Sequence, residues 1–200
     1  MKLRNEIKDT WAEIKEHEAD GSFLQRYGIG DYKVIDLGEN GIIRFAIRAF
    51  GVDSRPDGTK ALISWVAADL TKKRYRMHHD WFGQWGECDL RATLSGEVLD
   101  SFSEDVRAAI VPVIKKQIAY KPDWTCFTER TLDDLWIPSF SEMFEGVYSG
   151  FDTEEERALD QFYWCRSANG NNSFNGVNSS GSYDYYYANG AYPLALGFST

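Results

Sequence analysis

Cysteine is scarce in this 200-residue chain, and its three copies, Cys88, Cys126 and Cys165, lie far apart with no CxxC pair. An odd, dispersed set is neither a disulfide framework nor a zinc site. The expectation is three buried free thiols in a chain made in a reducing cytoplasm. Positive charge is short as well: 22 Lys and Arg face 31 Asp and Glu, a net charge of −9. Phosphate binding needs clustered Lys and Arg, so no nucleic-acid partner is expected. No run approaches the roughly 18 apolar residues of a membrane span. Met1-Lys2-Leu3-Arg4-Asn5-Glu6 lacks the apolar stretch of a signal peptide. The chain is therefore expected to be synthesised in the cytoplasm and to leave it only by lysis or in a particle.

Catalytic motifs are missing too. There is no nucleophile elbow, and Gly28-Ile29-Gly30 lacks the third glycine and the following helix of a phosphate loop. No carboxylate pair has a context that would raise one pKa and leave the other ionised. Glu154-Glu155-Glu156 reads as a solvated face. Cys165, between Trp164 and Arg166, reads as a core thiol rather than an activated thiolate. His78-His79-Asp80 invites a metal reading. Adjacent histidines point apart on a regular element, however, and the only other histidine is His17. A loop packing Trp81 and Trp85 against the core is the better reading. No enzyme activity, metal or cofactor is expected.

What is present is globular. Hydrophobic residues make up 43% and aromatics 15%, with seven Trp, enough for one domain over residues 1–200 with a real core. Thr10-Trp11-Ala12-Glu13 fits a capping box opening a helix to about residue 19, which Asp20-Gly21 ends. Alternation over 32–37, the turn signal Glu39-Asn40-Gly41, and strands at 42–50 and 61–67 predict an antiparallel meander. Leu90 and Leu94 carry helical spacing, and Ser103-Glu104-Asp105 caps a helix ended by Pro112. A strand is predicted over 113–120, a loop over 121–128 and extended chain over 129–137. Ser139-Phe140-Ser141-Glu142 is a second capping box, and 152–161 is a charged helix or loop. No repeat or linker interrupts this α+β pattern, in which 1–161 is scaffold and 162–200 a C-terminal segment with its own composition.

That segment has core-like ends, Phe162-Tyr163-Trp164 and Leu194-Ala195-Leu196-Gly197-Phe198. Between Ser167 and Tyr192 lie almost only Asn, Ser, Gly and Tyr, with no Lys, Glu, Gln, Met or Trp. Tyr offers rigid amphipathic contact area, and Ser, Asn and Gly offer adaptable hydrogen bonds, the composition of a binding surface. The candidate ligand-binding residues are Asn169, Asn171, Asn172, Ser173, Asn175, Asn178, Ser180, Ser182, Tyr183, Asp184, Tyr185, Tyr186, Tyr187 and Asn189, with the tyrosines as anchors. The plainer alternative is a half-buried strand at 183–187 with Asn/Ser turns. Arg166, Phe174, Val177 and Ala188 are scaffold on either reading.

Trp136-Ile137-Pro138-Ser139-Phe140-Ser141-Glu142-Met143-Phe144, Tyr163-Trp164-Cys165-Arg166-Ser167-Ala168 and Leu194-Ala195-Leu196-Gly197-Phe198, in this order, resemble a bacterial and phage family of unassigned function. Thr10-Trp11-Ala12-Glu13-Ile14 and Asp105-Val106-Arg107-Ala108-Ala109-Ile110 extend the resemblance along nearly the whole chain. Cys165 stands where Leu is usual in that family and Pro193 where Gly is usual. The resemblance implies a C-type-lectin-like fold: short antiparallel strands, two or three short helices and much irregular loop. The calcium-lectin signatures and the paired cysteines of formylglycine-generating enzymes, which share that scaffold, are absent. Some members are variable proteins of diversity-generating retroelements, in which template adenines are mutated. An AAY codon altered in its first two bases cannot yield Lys, Glu, Gln, Met or Trp, all five of which are missing from 167–192. The expected function is display of a diversified surface to a protein or cell-surface ligand, on a phage particle or cell surface. The alternative is a structural or assembly component of such a particle. Homo-oligomerisation stays open.

Overall fold

The computed structural model describes residues 3–80 and 83–200; Trp81, assigned above to the His-rich loop, lies outside them. Local chemistry sets the first element. The Thr10 hydroxyl accepts from the Glu13 N–H while the Glu13 carboxylate accepts from the Thr10 N–H, so α1 (Trp11–Asp20) starts there and ends at Gly21 in the left-handed region. Trp11 and Ile14 are its buried residues. A short α2 (Phe23–Arg26) follows. Then β1 (Tyr32–Asp36), β2 (Ile42–Phe50) and β3 (Ile63–Ala67) form the expected antiparallel meander, joined between β1 and β2 by a 3-10 turn at Gly38–Asn40.

The middle of the chain supplies β4 (Tyr75–Arg76), α3 (Asp89–Thr93) with a π-helical continuation over Leu94–Val98, and α4 (Glu104–Ala109). Ser103 precedes α4 as expected, but its hydroxyl bonds the Asp105 carboxylate rather than a helix N–H. β5 (Val113–Tyr120) and β6 (Cys126–Asp133) make a long hairpin, so the loop expected over 121–128 is shorter than its sequence suggested. β7 (Leu135–Trp136) leads to α5 (Phe140–Phe144), opened by the second reciprocal capping box, Ser139 with Glu142. The charged stretch contributes only α6 (Glu154–Arg157), with Glu154 and Glu155 exposed. β8 (Tyr163–Ala168), β9 (Ser173–Val177), β10 (Tyr183–Tyr187), β11 (Ala191–Tyr192) and β12 (Gly197–Ser199) complete the chain.

The main sheet runs β1-β2-β3-β12-β7, so the last strand lies between β3 and β7 rather than at an edge. Its apolar run explains this. Leu194, Leu196 and Phe198 enter one buried cluster with Phe45, Trp65 and Leu135, while Ala195 joins Val66, Trp136 and Tyr148 in another. Phe198 meets Phe45 at 5.2 Å and Trp11 at 5.8 Å between ring centres, which docks α1 on the sheet. Fully burying such a ring is worth about 1.5–3 kcal/mol. The smaller sheets are β10-β9-β8, β11-β4 and β5-β6, all antiparallel. The architecture is thus α+β, with short helices and several short antiparallel sheets.

A buried charge network ties these parts together. The Lys115 Nζ on β5 donates to Asp53 Oδ1 at 2.6 Å, Tyr148 Oη at 2.5 Å and Glu142 Oε1 at 3.3 Å. Arg166 on β8 donates to both Glu142 oxygens, to the Ile137 carbonyl at 2.6 Å and to Gln117 Oε1 at 3.1 Å. Ser64, Ser199 and Tyr148 complete the Asp53 carboxylate. Two acids face two bases with their hydrogen bonds supplied, the condition under which buried charges are tolerated.

Candidate binding surface

The three-stranded sheet grades from core to solvent across its width. Every residue of β8 and of β9 is buried, whereas four of the five residues of β10 are exposed. β9 is the central strand, paired with β8 on one side and β10 on the other, and both its faces are covered: Phe174 belongs to one buried cluster and Val177 to the other. Gly176 lets Phe162 cross the sheet closely: a Cβ there would lie 2.1 Å from the Phe162 ring.

β10 itself is the edge strand. Tyr183, Tyr185, Tyr186 and Tyr187 are 43–53% exposed, unusual for rings of this size on adjoining positions. Their rings are nonetheless supported. Tyr183 stands edge-on to Phe140 and Phe144 of α5, at 5.5 and 6.3 Å, and donates its hydroxyl to Asn169 Oδ1 at 2.6 Å. Tyr185 lies 6.3 Å from Tyr183. Tyr186, on the opposite face, packs on Phe162 at 4.8 Å and Tyr192 at 5.1 Å. The strand-and-turn alternative is met in part: 183–187 is a strand preceded by an Asn178 turn, and its tyrosines are half-exposed, though on both faces rather than one.

The remaining candidates divide. Asn169, Asn171 and Asn172 form the β8–β9 loop and are partly exposed, and Ser180 and Asn189 are exposed. Asn178 is a turn-former: its Oδ1 accepts from the Ser180 N–H, the Ser180 hydroxyl and the Ser182 N–H. The Ser182 hydroxyl bonds Glu154, and the Asp184 carboxylate accepts the Tyr185 N–H. Ser173 and Asn175 are only 5% and 7% exposed and do not lie on the surface, contrary to the sequence reading, because they share a covered face of β9 with the buried Val177. Arg166, Phe174, Val177 and Ala188 are buried scaffold, as expected.

One residue absent from the sequence reading adjoins this surface. Trp124, at the tip of the β5–β6 hairpin, is 61% exposed and holds φ 68. For a bulky residue that backbone is strained, at a cost of about 1–3 kcal/mol. A Cβ on Gly170 would lie 3.1 Å from its ring, and Asn171 Nδ2 donates to the Pro122 carbonyl at 3.0 Å, so the hairpin tip abuts the 169–172 loop. The signal available in sequence was a Trp inside Lys121-Pro122-Asp123-Trp124, a turn-forming stretch.

Two other clusters carry chemistry. Asp53, Lys115, Glu142 and Ser139 line a cleft of about 290 Å³. Burial alone would raise the Asp53 carboxyl, but the Lys115 ammonium and hydrogen bonds from Lys115, Ser64 and Tyr148 outweigh it and bring it to about 2. Burial is likewise outweighed at Glu142 by Arg166 and Lys115, so its carboxyl is lowered. Both acids are held ionised by their cationic partners. The second cluster overturns the geometric objection to a metal. The His78–His79 segment is irregular, and the two rings lie 4.3 Å apart with both Nδ1 atoms directed at Asp89.

Cys88 and Cys165 are buried, and burial pushes both thiols up to about 12. Cys126 departs from expectation: it opens β6 opposite Tyr120 at the outer end of the hairpin, where β6 is largely exposed. Among the described residues, no helix is long and apolar enough to cross a membrane.

No curated protein and no solved structure matches the chain. A family model described as a domain of unknown function, DUF6273, matches residues 57–193, which takes in β3 to β11 and the whole tyrosine-bearing strand. The chain belongs to the DUF6273 family.

Proposed function

We propose that the chain is a non-enzymatic binding module with a C-type-lectin-like fold, displaying a retroelement-diversified surface to a protein or cell-surface ligand. The observation that carries this reading is β10: four half-exposed tyrosines on the edge of a sheet whose other two strands are wholly buried. Large aromatics held upright on a rigid support give contact area at low entropic cost. The surface comprises Asn169, Asn171, Tyr183, Tyr185, Tyr187 and Trp124, with Tyr186 on the reverse face; Ser173 and Asn175 are excluded by burial. The satisfied, mutually neutralising charges of the Asp53–Lys115–Glu142–Arg166 network favour binding over catalysis.

The second reading, assembly into a phage or bacterial particle, draws support from the same strand. β10 ends its sheet, so its outer edge offers backbone groups for pairing with another chain.

Sequencing the 3′ end of the gene across its source population separates the two. Diversification places substitutions at codons 169, 171, 183, 185, 187 and 189, spares codons 173–177, and matches adenines in a nearby near-copy. An invariant 3′ end without a second copy removes diversification, and a stable oligomer disrupted by Tyr185→Ala would then favour assembly.

A further inference from the structure

We propose that His78, His79 and Asp89 form a binding site for a divalent transition metal of the zinc class. The site is independent of what the tyrosine surface binds. Two imidazole nitrogens and one carboxylate are a donor set suited to zinc, copper or nickel rather than to calcium or magnesium. Their ligand atoms all lie within 4.8 Å of one another. Asp89 Oδ1 is 3.2 Å from His78 Nδ1, and Asp89 Oδ2 is 2.7 Å from His79 Nδ1. Ligands about 2.0–2.1 Å from a tetrahedral metal are about 3.3 Å from each other. The two Asp89–imidazole spacings lie within about 0.6 Å of that value, and the imidazole donors, within 4.8 Å of each other, close on the ion.

The surroundings are those of a built site. Coordination through His79 Nδ1 leaves Nε2 facing Asp80 Oδ2 at 3.3 Å, a carboxylate–imidazole pairing that orients metal-bound histidines. The backbone is fixed at both ends. His78 N–H donates to the Ala188 carbonyl at 3.0 Å, Leu90 N–H to the Met77 carbonyl at 3.0 Å, and His79 N–H to Asp89 Oδ2 at 2.8 Å. The Asp89 N–H reaches His78 Nδ1 at 3.3 Å, the long end of hydrogen bonding, and competes weakly for that lone pair. Three protein ligands leave the fourth position of a tetrahedral ion for water or a partner's group. The His78–Ala188 bond places the site beside the loop between β10 and β11.

Calorimetric titration of the chelator-treated full chain with Zn²⁺ tests this, with Co²⁺ absorption reporting coordination geometry. The expected result is one saturable site per chain, weakened at least tenfold in His79→Ala and in Asp89→Ala. Asp80→Asn should weaken it by about tenfold, and His17→Ala should leave it unchanged. His79 is 65% exposed, so His79→Ala keeps the fold and decides the matter alone if Asp89→Ala does not fold. No saturable Zn²⁺ uptake, or uptake unaltered by His79→Ala, overturns the proposal.

Discussion

The Arg166 guanidinium grips the Glu142 carboxylate with both Nη atoms, at 2.6 and 2.7 Å, and both side chains are buried. This fork joins β8 to α5, and through Lys115 and Asp53 the same network reaches β5 and the loop after β2. It sets the buried side of the sheet that carries the tyrosines. Glu142 also caps α5, accepting the Ser139 N–H at 2.7 Å. Removing one partner strands the other charge, a loss of about 3–5 kcal/mol. Arg166→Ala and Glu142→Ala should each lower the denaturant midpoint by that equivalent. A double variant much milder than the sum would identify the pair as coupled; additive losses would mean that each acts through other contacts.

Acid should release the same network. The Asp53 carboxyl titrates near 3.8 when unfolded and near 2 in the fold. A carboxyl lowered on folding contributes stability that is complete above 3.8 and is lost as pH falls through 2. The contribution at neutral pH is about 2 kcal/mol. Glu142, also lowered, acts with the same sign. Unfolding free energy measured between pH 6 and pH 2 should fall steeply below pH 4. Asp53→Asn should be less stable at pH 6 and show a shallower fall; an unchanged slope would contradict the assignment.

Gly176→Ala should be among the most damaging small substitutions. Its Cβ would meet the Phe162 ring at 2.1 Å and the Tyr163 carbonyl oxygen at 2.6 Å, so a backbone shift is unavoidable. Overpacking of this kind costs about 1–3 kcal/mol. At Gly96 a Cβ would meet nothing within 4 Å, and Gly96→Ala should be neutral or stabilise by up to about 1 kcal/mol. Thermal unfolding of the two variants checks the contrast.

How much of this was readable beforehand follows from the range of the interactions. Thr10 with Glu13 and Ser139 with Glu142 are contacts within four residues, and both capping boxes stand where the sequence puts them. The meander follows from alternation and a turn signal. Asp53 and Lys115 are 62 residues apart, and nothing local marks either as the other's partner. Burial of Ser173 and Asn175 depends on what packs over the faces of β9, which composition does not carry. The convergence of His78 and His79 on Asp89 depends on an irregular backbone at 78–79, which adjacent histidines in a sequence do not signal.

Thiol accessibility offers a direct check on β6. Cys126 is exposed, whereas Cys88 and Cys165 are buried with thiols raised to about 12. A low thiolate fraction and burial both slow alkylation. Native protein at pH 8 should react rapidly with one equivalent of maleimide, and denatured protein with three. Cys126→Ser should abolish the fast phase; rapid native labelling that persists in Cys126→Ser would mean that the buried segment around Cys88 or Cys165 opens.

The tyrosines of β10 distinguish display from support. Tyr185 and Tyr187 are each 53% exposed, and substitutions at such positions usually change stability by no more than about 0.5 kcal/mol. Tyr185→Ala and Tyr187→Ala should therefore unfold almost like the parent. Tyr183→Ala loses the hydrogen bond to Asn169 and three ring contacts, and should cost about 1 kcal/mol more. Phe174, opposite Tyr186 on β9 and fully buried, should cost about 3–5 kcal/mol when cut to Ala. Equilibrium denaturation of the four variants gives the ranking. If Tyr185→Ala proves as damaging as Phe174→Ala, β10 holds the fold together and is not spare surface. If Tyr185 and Tyr187 are removable at little cost, β10 is free to act as the display surface proposed above.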